Sequence, residues 1–353
     1  MERIVIAMSG GVDSSVAAYL LKEQGYEVIG ITMYIKESEE DKFSVKKCCS
    51  ISDIMQAKEV AKKLDIPHYV LDLKEEFSKN VIDYFISDYK NGRTPNPCIM
   101  CNTKIKFGEL LRHAKKIEAS KIATGHYALT RYDKKTDRYL LLKAAHADKD
   151  QSYFLFNLKQ SQLKHMLFPL GNLDKKEVKK IAQKFDMDFE HKKESQDVCF
   201  VPENDYRLLL KKYLPEQEGD FILEDTGEVI GKHNGYFLFT VGQRRNLGVA
   251  VGERLYVTRI DPKENRVFLA YRKGMLRSSF DVQNTNFIYY KRPPKTFECE
   301  AQVRFNGELI HSQVQTQEKD ASVILDTPAF AVAPGQAAVF YKGNIVLGGG
   351  FIK

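Results

Sequence analysis

Two groups of residues in this chain have types and spacings that could do chemistry. The first is Ser9-Gly10-Gly11-Val12-Asp13-Ser14-Ser15, between an apolar run, "RIVIAM", and an amphipathic helix pattern. In such a turn the glycines let the backbone approach a ligand closely, and successive N–H groups form a positive nest. The helix that follows adds its partial positive charge and its open first-turn donors. Ser9, Ser14 and Ser15 supply hydroxyls, so the loop is built to hold an anion, and phosphate is the obvious one. It is not a Walker A loop, which needs Lys-Ser/Thr after its second glycine. Nor is it G-x-G-x-x-G, because Gly10 and Gly11 are adjacent.

The second group is the cysteines: Cys48, Cys49, Cys98, Cys101, Cys199 and Cys299. Cys101 lies in "NGRTPNPCIMCNTKIKF", a turn-rich loop expected to enter a helix at about Asn102. A thiol at a helix N-terminus beside Lys104 and Lys106 is biased toward thiolate, the nucleophilic form. Cys199 lies in a second loop, "KESQDVCFVPEND". Two loop cysteines that meet across one domain make a sulfur relay, one carrying a persulfide and the other releasing its outer sulfur by forming a disulfide. Zinc is disfavoured, since "CIMC" has no second C-x-x-C or H-x-x-x-H to complete four ligands. A four-iron cluster on Cys98, Cys101 and Cys199 with one open position stays as the alternative. Cys48-Cys49 is too tight a pair to chelate well and reads as a loop feature. Cys299, in a β pattern, reads as core.

These residues need a scaffold. After "RIVIAM" the chain alternates a helix over 14–24, the strand "YEVIGITM", a helix capped by Ser52 or Asp53 that runs to Leu64, and the strand "HYVLDL". Helices over 76–90 and 102–117 follow, then the strand "KIATGHYA". This alternation specifies a parallel sheet with helices on both faces. "RYDKKTDRYLLLKA" reads as a hairpin with Lys134-Lys135 near its tip, and Asp174 with Glu177 forms a capping box for the helix after it. From about Leu209 short alternating runs such as "GDFILED", "RLYVTRI", "ECEAQVRF" and "QAAVFY" specify mainly antiparallel β structure. Three domains are expected, over 1–208, 209–275 and 276–353.

The chain has 353 residues, long enough for such a set, with 43% hydrophobic and 29% charged residues. No apolar run spans a bilayer and no leader pattern precedes the first strand, so a cytoplasmic protein with no membrane partner is expected. Lysine plus arginine exceed aspartate plus glutamate by 54 to 47. The surplus, concentrated in "DKFSVKK", "KKEVKKIAQK" and "GQRRN", favours polyanionic partners.

The string S-G-G-x-D-S resembles the pyrophosphate loop of the N-type ATP pyrophosphatases (adenine-nucleotide alpha-hydrolase-like, or PP-loop, enzymes). That resemblance implies ATP cut between its α and β phosphates, with Asp13 helping to hold Mg²⁺. Adenylating a carbonyl oxygen makes it a leaving group that nitrogen or sulfur can replace. Nothing in the chain resembles a glutaminase domain, and the cysteines suggest sulfur. With "TPNPCIMCNTKIKFG", "ATGHYA", "KDQSYFL", "PLGNLDKKEVKKIA", "ESQDVCF", "FTVGQRRNLGVA" and "APGQAAVFYKGNIVLGGG", nearly the whole chain is similar to the tRNA-specific 2-thiouridylases of bacteria and organelles.

The resemblance implies a parallel-sheet ATP pyrophosphatase domain followed by a central β-rich tRNA-binding domain and a C-terminal β-barrel. It implies thiolation at carbon 2 of the wobble uridine in tRNAs for lysine, glutamate and glutamine, with AMP and pyrophosphate as products. A sulfur donor protein, either a cysteine desulfurase or a relay protein, is implied as partner. By position, Ala7, Met8, Ser9, Gly10, Gly11, Val12, Asp13, Ser14, Met33 and Gly125 would contact ATP. Cys101 would be the nucleophile and Cys199 the persulfide carrier, alternately joined to it as a disulfide. Asn96, Pro97 and Cys98 fall where the family contacts the target base. Lys149, Asp150, Gln151, His126, Arg304, Phe305 and Gln336 fall where it contacts tRNA. On residue type alone His126 reads as structural, Phe305 as barrel core, and Gln336, after Pro-Gly, as exposed. The chain departs from the family at Cys98, where aspartate is usual, at Phe305 for tyrosine and at Asn246 for glycine. The rival readings are a pyrophosphatase acting on a different substrate and a non-catalytic nucleotide- and RNA-binding module.

Overall fold

The computed structural model describes residues 1–35, 51–185, 198–249 and 252–353. Cys48, Cys49, the basic run "DKFSVKK" and residues 194–197 of "ESQDVCF" lie outside them. The chain divides into two compact units. The first comprises Met1–Val81, Cys98–Asn204 and Asn344–Val346; the second comprises Ile82–Pro97, Asp205–Gly343 and Leu347–Lys353.

In the first unit β1 (Arg3–Ala7), β2 (Glu27–Tyr34), β3 (His68–Asp72) and β4 (Lys121–Ala123) join in the order β3-β2-β1-β4, all parallel. A hairpin follows from β5 (Leu129–Asp133) and β6 (Arg138–Leu142), with residues 134–137 as its turn. The two-residue strand β7 (Met166–Leu167) pairs in parallel with β4 at the sheet edge. Strands β1 and β2 read as continuous apolar runs because helices cover both faces. Helix α1 (Val12–Glu23) presses Val16, Ala17, Ala18 and Leu21 against Ile4, Ile6 and Val28, while α2 (Ile51–Lys63) adds Ala57, Val60 and Ala61. Leu21 is 1% exposed, so Leu21→Ala is expected to cost about 2–5 kcal/mol in a chemical denaturation series. The strand expected over "KIATGHYA" is confined to Lys121–Ala123, because the backbone turns at Gly125, which packs against the Asp13–Ser14 backbone.

The sheet order reverses direction between β1 and β4, which makes this the switch point of the sheet. That is where open α/β sheets bind ligands. The loop after β1 is Met8–Gly11, and the loop after β4 is Thr124–Tyr127.

The second unit holds two β assemblies. One is a four-stranded sheet in the order Tyr256–Asp261, Arg266–Ala270, Gly219–Leu223, Val229–His233. Its middle pairing is parallel, a departure from the antiparallel pattern of its neighbours. Its core is Phe221, Val257, Val267 and Leu269 with Phe239 and Met275. In the other assembly Leu276–Asn286, Asp320–Phe330, Ile310–Gln317, Thr296–Gln302, Ala337–Lys342 and Ile345–Ile352 follow in order, and the last pairs back with the first to close a barrel. Cys299 is buried there, and desolvation pushes its thiol up to about 12. It is an inert core residue, as its β pattern indicated.

Candidate nucleotide and thiol site

The loop after β1 is held by its own serines. The Ser14 hydroxyl donates to the Gly11 carbonyl at 3.0 Å and accepts from the Ser9 amide at 3.2 Å. The Ser15 hydroxyl donates to the same carbonyl at 2.9 Å. Gly11 is the N-cap of α1 in extended conformation, and no side chain caps that helix end. The first-turn N–H groups therefore have no side-chain cap, the arrangement that an anion can complete. Ser9 is exposed, whereas Ser14 and Ser15 are buried beneath the loop. Met8 is buried at the loop's root, and Met33 lies half-buried near the end of β2.

Two glycines fit this site by what they lack. Gly10 has φ +69°, and a Cβ there would stand 2.4 Å from the Asp53 carbonyl oxygen. Gly125 follows β4 closely, and its Cβ would lie 2.8 Å from both the Asp13 carbonyl carbon and the Ser14 nitrogen. The turn after β4 thus rests directly on the backbone of the loop after β1. Gly125→Ala is expected to push the loop out of register and raise the KM for ATP by about tenfold or more. Steady-state titration with ATP checks this, and a KM within twofold of wild type would contradict it.

The Asp13 carboxylate is engaged on both oxygens. Lys175 Nζ donates to Oδ1 at 2.7 Å and to Oδ2 at 2.9 Å, and the Tyr127 hydroxyl donates to Oδ1 at 2.7 Å. Lys175 opens the helix Lys175–Lys184, whose N-cap Asp174 forms the expected capping box with Glu177. Its side chain is only 13% exposed. Residue-type reasoning missed Lys175 and Tyr127. "TGHYA" and "LDKKEV" carry both, but a lysine in a basic helix reads as solvated until tertiary contacts show otherwise. With its carboxylate taken up in this way, Asp13 does not fit the role of magnesium ligand assigned to it. Among the described residues no three of His, Cys, Asp and Glu converge to hold a metal ion. The iron-cluster ligand set of Cys98, Cys101 and Cys199 is therefore not assembled.

"KDQSYF" supports the same corner. The Asp150 carboxylate accepts from the Ala144 and Ser152 amides at 2.8 and 3.2 Å and from the Ser152 hydroxyl at 2.7 Å. Burial raises its pKa above the ordinary carboxylate value. The Gln151 side-chain Oε1 accepts from the Tyr127 backbone amide at 3.2 Å, and the Gln151 backbone N–H donates to the Tyr127 carbonyl at 2.9 Å. Asp150 and Gln151 therefore turn their side chains toward the protein, and Gln151 holds Tyr127, which holds Asp13. Lys149 lies in the preceding 3-10 turn, half-buried.

His126 packs against the rings of Phe107 and Phe168, with Nδ1 2.8 Å from the Thr124 hydroxyl. Desolvation, with Lys106 nearby, holds its pKa well below the ordinary 6.5. Burial and Lys58 lower His68 likewise. A group whose folded pKa is depressed contributes stability above its unfolded value and loses it as pH falls toward the folded value. The melting temperature is therefore expected to drop as pH is lowered below about 6.5, and His126→Gln to flatten that slope. Calorimetry across this range checks it; an identical slope in the variant would contradict it.

Cys101 does not start its helix. The helix begins at Pro97, five residues before the expected start, and proline suits a first helical position. Cys98 occupies the first turn, and Cys101 opens a π-helical stretch, Cys101–Glu109. The wide turns leave carbonyls that Gln162 covers: its amide donates to Thr103 and Phe107 oxygens at 2.9 and 2.7 Å. Asn102, beside the nucleophile candidate, is 2% exposed and donates to the Phe154 carbonyl at 3.1 Å. Cys199 lies in the turn Val198–Val201, next to Phe200, whose ring meets the edge of Phe77. Cys98, Cys101 and Cys199 are half-buried thiols, not joined as disulfides.

In the second unit Asn96 is buried. Arg304 and Phe305 lie exposed in the turn between Thr296–Gln302 and Ile310–Gln317. Phe305 at 37% exposure is not barrel core, contrary to the reading from its type. Gln336 is not simply exposed, since its amide reaches the segment that carries Asn96.

Three family models cover the chain: a tRNA methyl transferase HUP domain over residues 2–203, a tRNA methyl transferase PRC-barrel domain over 207–271, and an aminomethyltransferase beta-barrel domain over 277–352. The chain is 44% identical to tRNA-specific 2-thiouridylase MnmA 1 of Thermoanaerobacter pseudethanolicus, covering 99% of this chain and 98% of that one. It is 42% identical to tRNA-specific 2-thiouridylase MnmA of Caldicellulosiruptor saccharolyticus, covering 100% and 98%. Among solved structures, a 4-thiouridine synthetase–RNA complex with bound ATP matches 53% of this chain and 41% of its own, with 16% identity and a TM-score of 0.34.

Proposed function

Since this chain belongs to the tRNA-specific 2-thiouridylase family, we propose that it thiolates carbon 2 of the wobble uridine in tRNAs for lysine, glutamate and glutamine, using ATP. The observation that carries the ATP half is the uncapped α1 N-terminus at the sheet's switch point, with Lys175 held beside it by Asp13. Backbone N–H groups of the loop hold the leaving pyrophosphate, and Lys175 supplies the cation that the loop itself lacks. The uridine oxygen attacks the α-phosphorus and the α–β bridging P–O bond breaks, leaving an adenylated base.

Sulfur follows. The outer sulfur of a persulfide on Cys199 bonds to carbon 2, and the C–O bond breaks to release AMP. Cys101 thiolate then attacks the inner sulfur, so the S–S bond breaks toward the new thiocarbonyl. The product is a Cys101–Cys199 disulfide, which a thiol reductant must reopen. The persulfide comes from a sulfur donor protein, a cysteine desulfurase or a relay. Asn96, Pro97 and Cys98 contact the base, and Lys149, Arg304 and Phe305 the tRNA. No helix among the described residues is long and apolar enough to cross a membrane, and we assign the reaction to the cytoplasm. The test is tRNA-dependent AMP release with a persulfide donor, followed by nucleoside analysis. Appearance of 2-thiouridine supports the reading, and AMP release without tRNA would overturn it.

A further inference from the structure

The segment Asn91–Pro97, which delivers Asn96 and Pro97, is bound to the turn Ala333–Gln336 of the barrel. The Gln336 side-chain nitrogen donates to the Thr94 carbonyl at 3.0 Å and to the Pro95 carbonyl at 3.2 Å. The Thr94 amide donates in return to the Pro334 carbonyl at 2.7 Å. Gly335, with φ +90°, makes the approach close: a Cβ there would stand 2.9 Å from the Arg93 Cβ and the Thr94 oxygen. The barrel side of this joint is fixed, since the Gly335 amide donates to Ile352 and the Ile352 amide donates to Gln336. On the other side the Arg93 amide donates to the Asp88 carbonyl at 2.9 Å. Two carbonyls can only accept, so the amide must turn its NH₂ to them, and both of its donors are used within the protein.

We propose that Gln336 is a positioning residue: it clamps the Thr94–Pro95 backbone and so sets the turn that presents Asn96 and Pro97 to the target base. It acts through that turn. The link to base presentation rests on the thiolation reading above, whereas the clamp itself is a property of the protein without tRNA. A buried backbone carbonyl deprived of its donor must find water, and the segment loosens as it does so.

The experiment compares wild type with Gln336→Ala and Gln336→Glu, full-length and free of tRNA, by hydrogen–deuterium exchange. Both variants are expected to speed exchange of peptides covering residues 91–97, including the Thr94 amide, by about tenfold or more. Exchange across Ile310–Gln317 should be unchanged, which separates a local joint from a misfolded barrel. In thiolation assays both should lower kcat about tenfold or more with KM for tRNA within twofold. Gln336→Glu keeps the shape but has no donor, so it should do no better than Gln336→Ala. Unchanged exchange of 91–97, with the loss confined to a higher KM for tRNA, would overturn the proposal. A wild-type protein that fails to thiolate would sink the thiolation reading instead, and the exchange comparison would still decide the clamp.

Discussion

Lys175→Met is expected to cut tRNA-dependent pyrophosphate release by about 10²–10³-fold while leaving the protein folded. The size follows from the ammonium's place. It is largely buried, 2.7 Å from Asp13 in the first turn of α1, and on the proposed reading the loop would otherwise meet the polyphosphate with dipoles alone. A preorganised cation in a partly desolvated crevice is worth several times its value on a wet surface. Lys175→Arg keeps the charge but changes its shape and reach, so partial activity is expected. Asp13→Asn removes the carboxylate that aims Lys175 and should lose a comparable factor, and the double variant should lose less than the sum in free energy. Single-turnover pyrophosphate release measures all four. Wild-type rates in Lys175→Met would reduce the pair to a structural ion pair.

Replacing either relay cysteine is expected to divide the reaction. Cys199→Ala and Cys101→Ser should lower thiolation by at least about 10³-fold, because residues that act as one unit are lost together. Pyrophosphate release with tRNA should remain within about tenfold of wild type, because the proposed adenylation uses the loop and Lys175 and not the thiols. Cys98→Ser should keep most activity if Cys98 only faces the base. Cys98 at the helix's first turn is the more favourably placed of the two thiols of "CIMC" for dipole stabilisation, so the comparison has force. If Cys98→Ser matched Cys199→Ala, and active anaerobic protein contained iron, the three-cysteine ligand set would have to assemble on substrate binding and the persulfide relay would fail.

The loop and the sheet were legible because both are local. "RIVIAM" followed by S-G-G-x-D-S and an apolar-periodic helix carries its geometry within a short span, and the Asp174–Glu177 capping box spans three residues. The helix start was also written locally, in Pro97, but the turn residues around "TPNP" outweighed it. What stayed hidden depends on contacts across the chain. Lys175 and Asp13 are 162 positions apart, and Gln336 and Thr94 are 242. Neither pairing leaves a mark on local periodicity, so the lysine read as solvated and the glutamine as exposed. The parallel pairing of Gly219–Leu223 with Arg266–Ala270 was invisible for the same reason: alternation gives a strand's faces and not its partner.

The distance between Asp13 and Lys175 also bears on how the protein is made. A P-loop that carries its own lysine is chemically complete soon after its first strand and helix emerge from the ribosome. Here the glycine loop is synthesised near the start, Tyr127 arrives 114 residues later and Lys175 later still. Until Lys175 is made, the nascent chain has a glycine loop whose Asp13 carboxylate can meet only the Tyr127 hydroxyl and no cation. Closing that long loop is slow relative to local helix formation. On the proposed reading, a truncated or stalled chain that ends before the helix Lys175–Lys184 would lack the cation that completes the loop's hold on pyrophosphate.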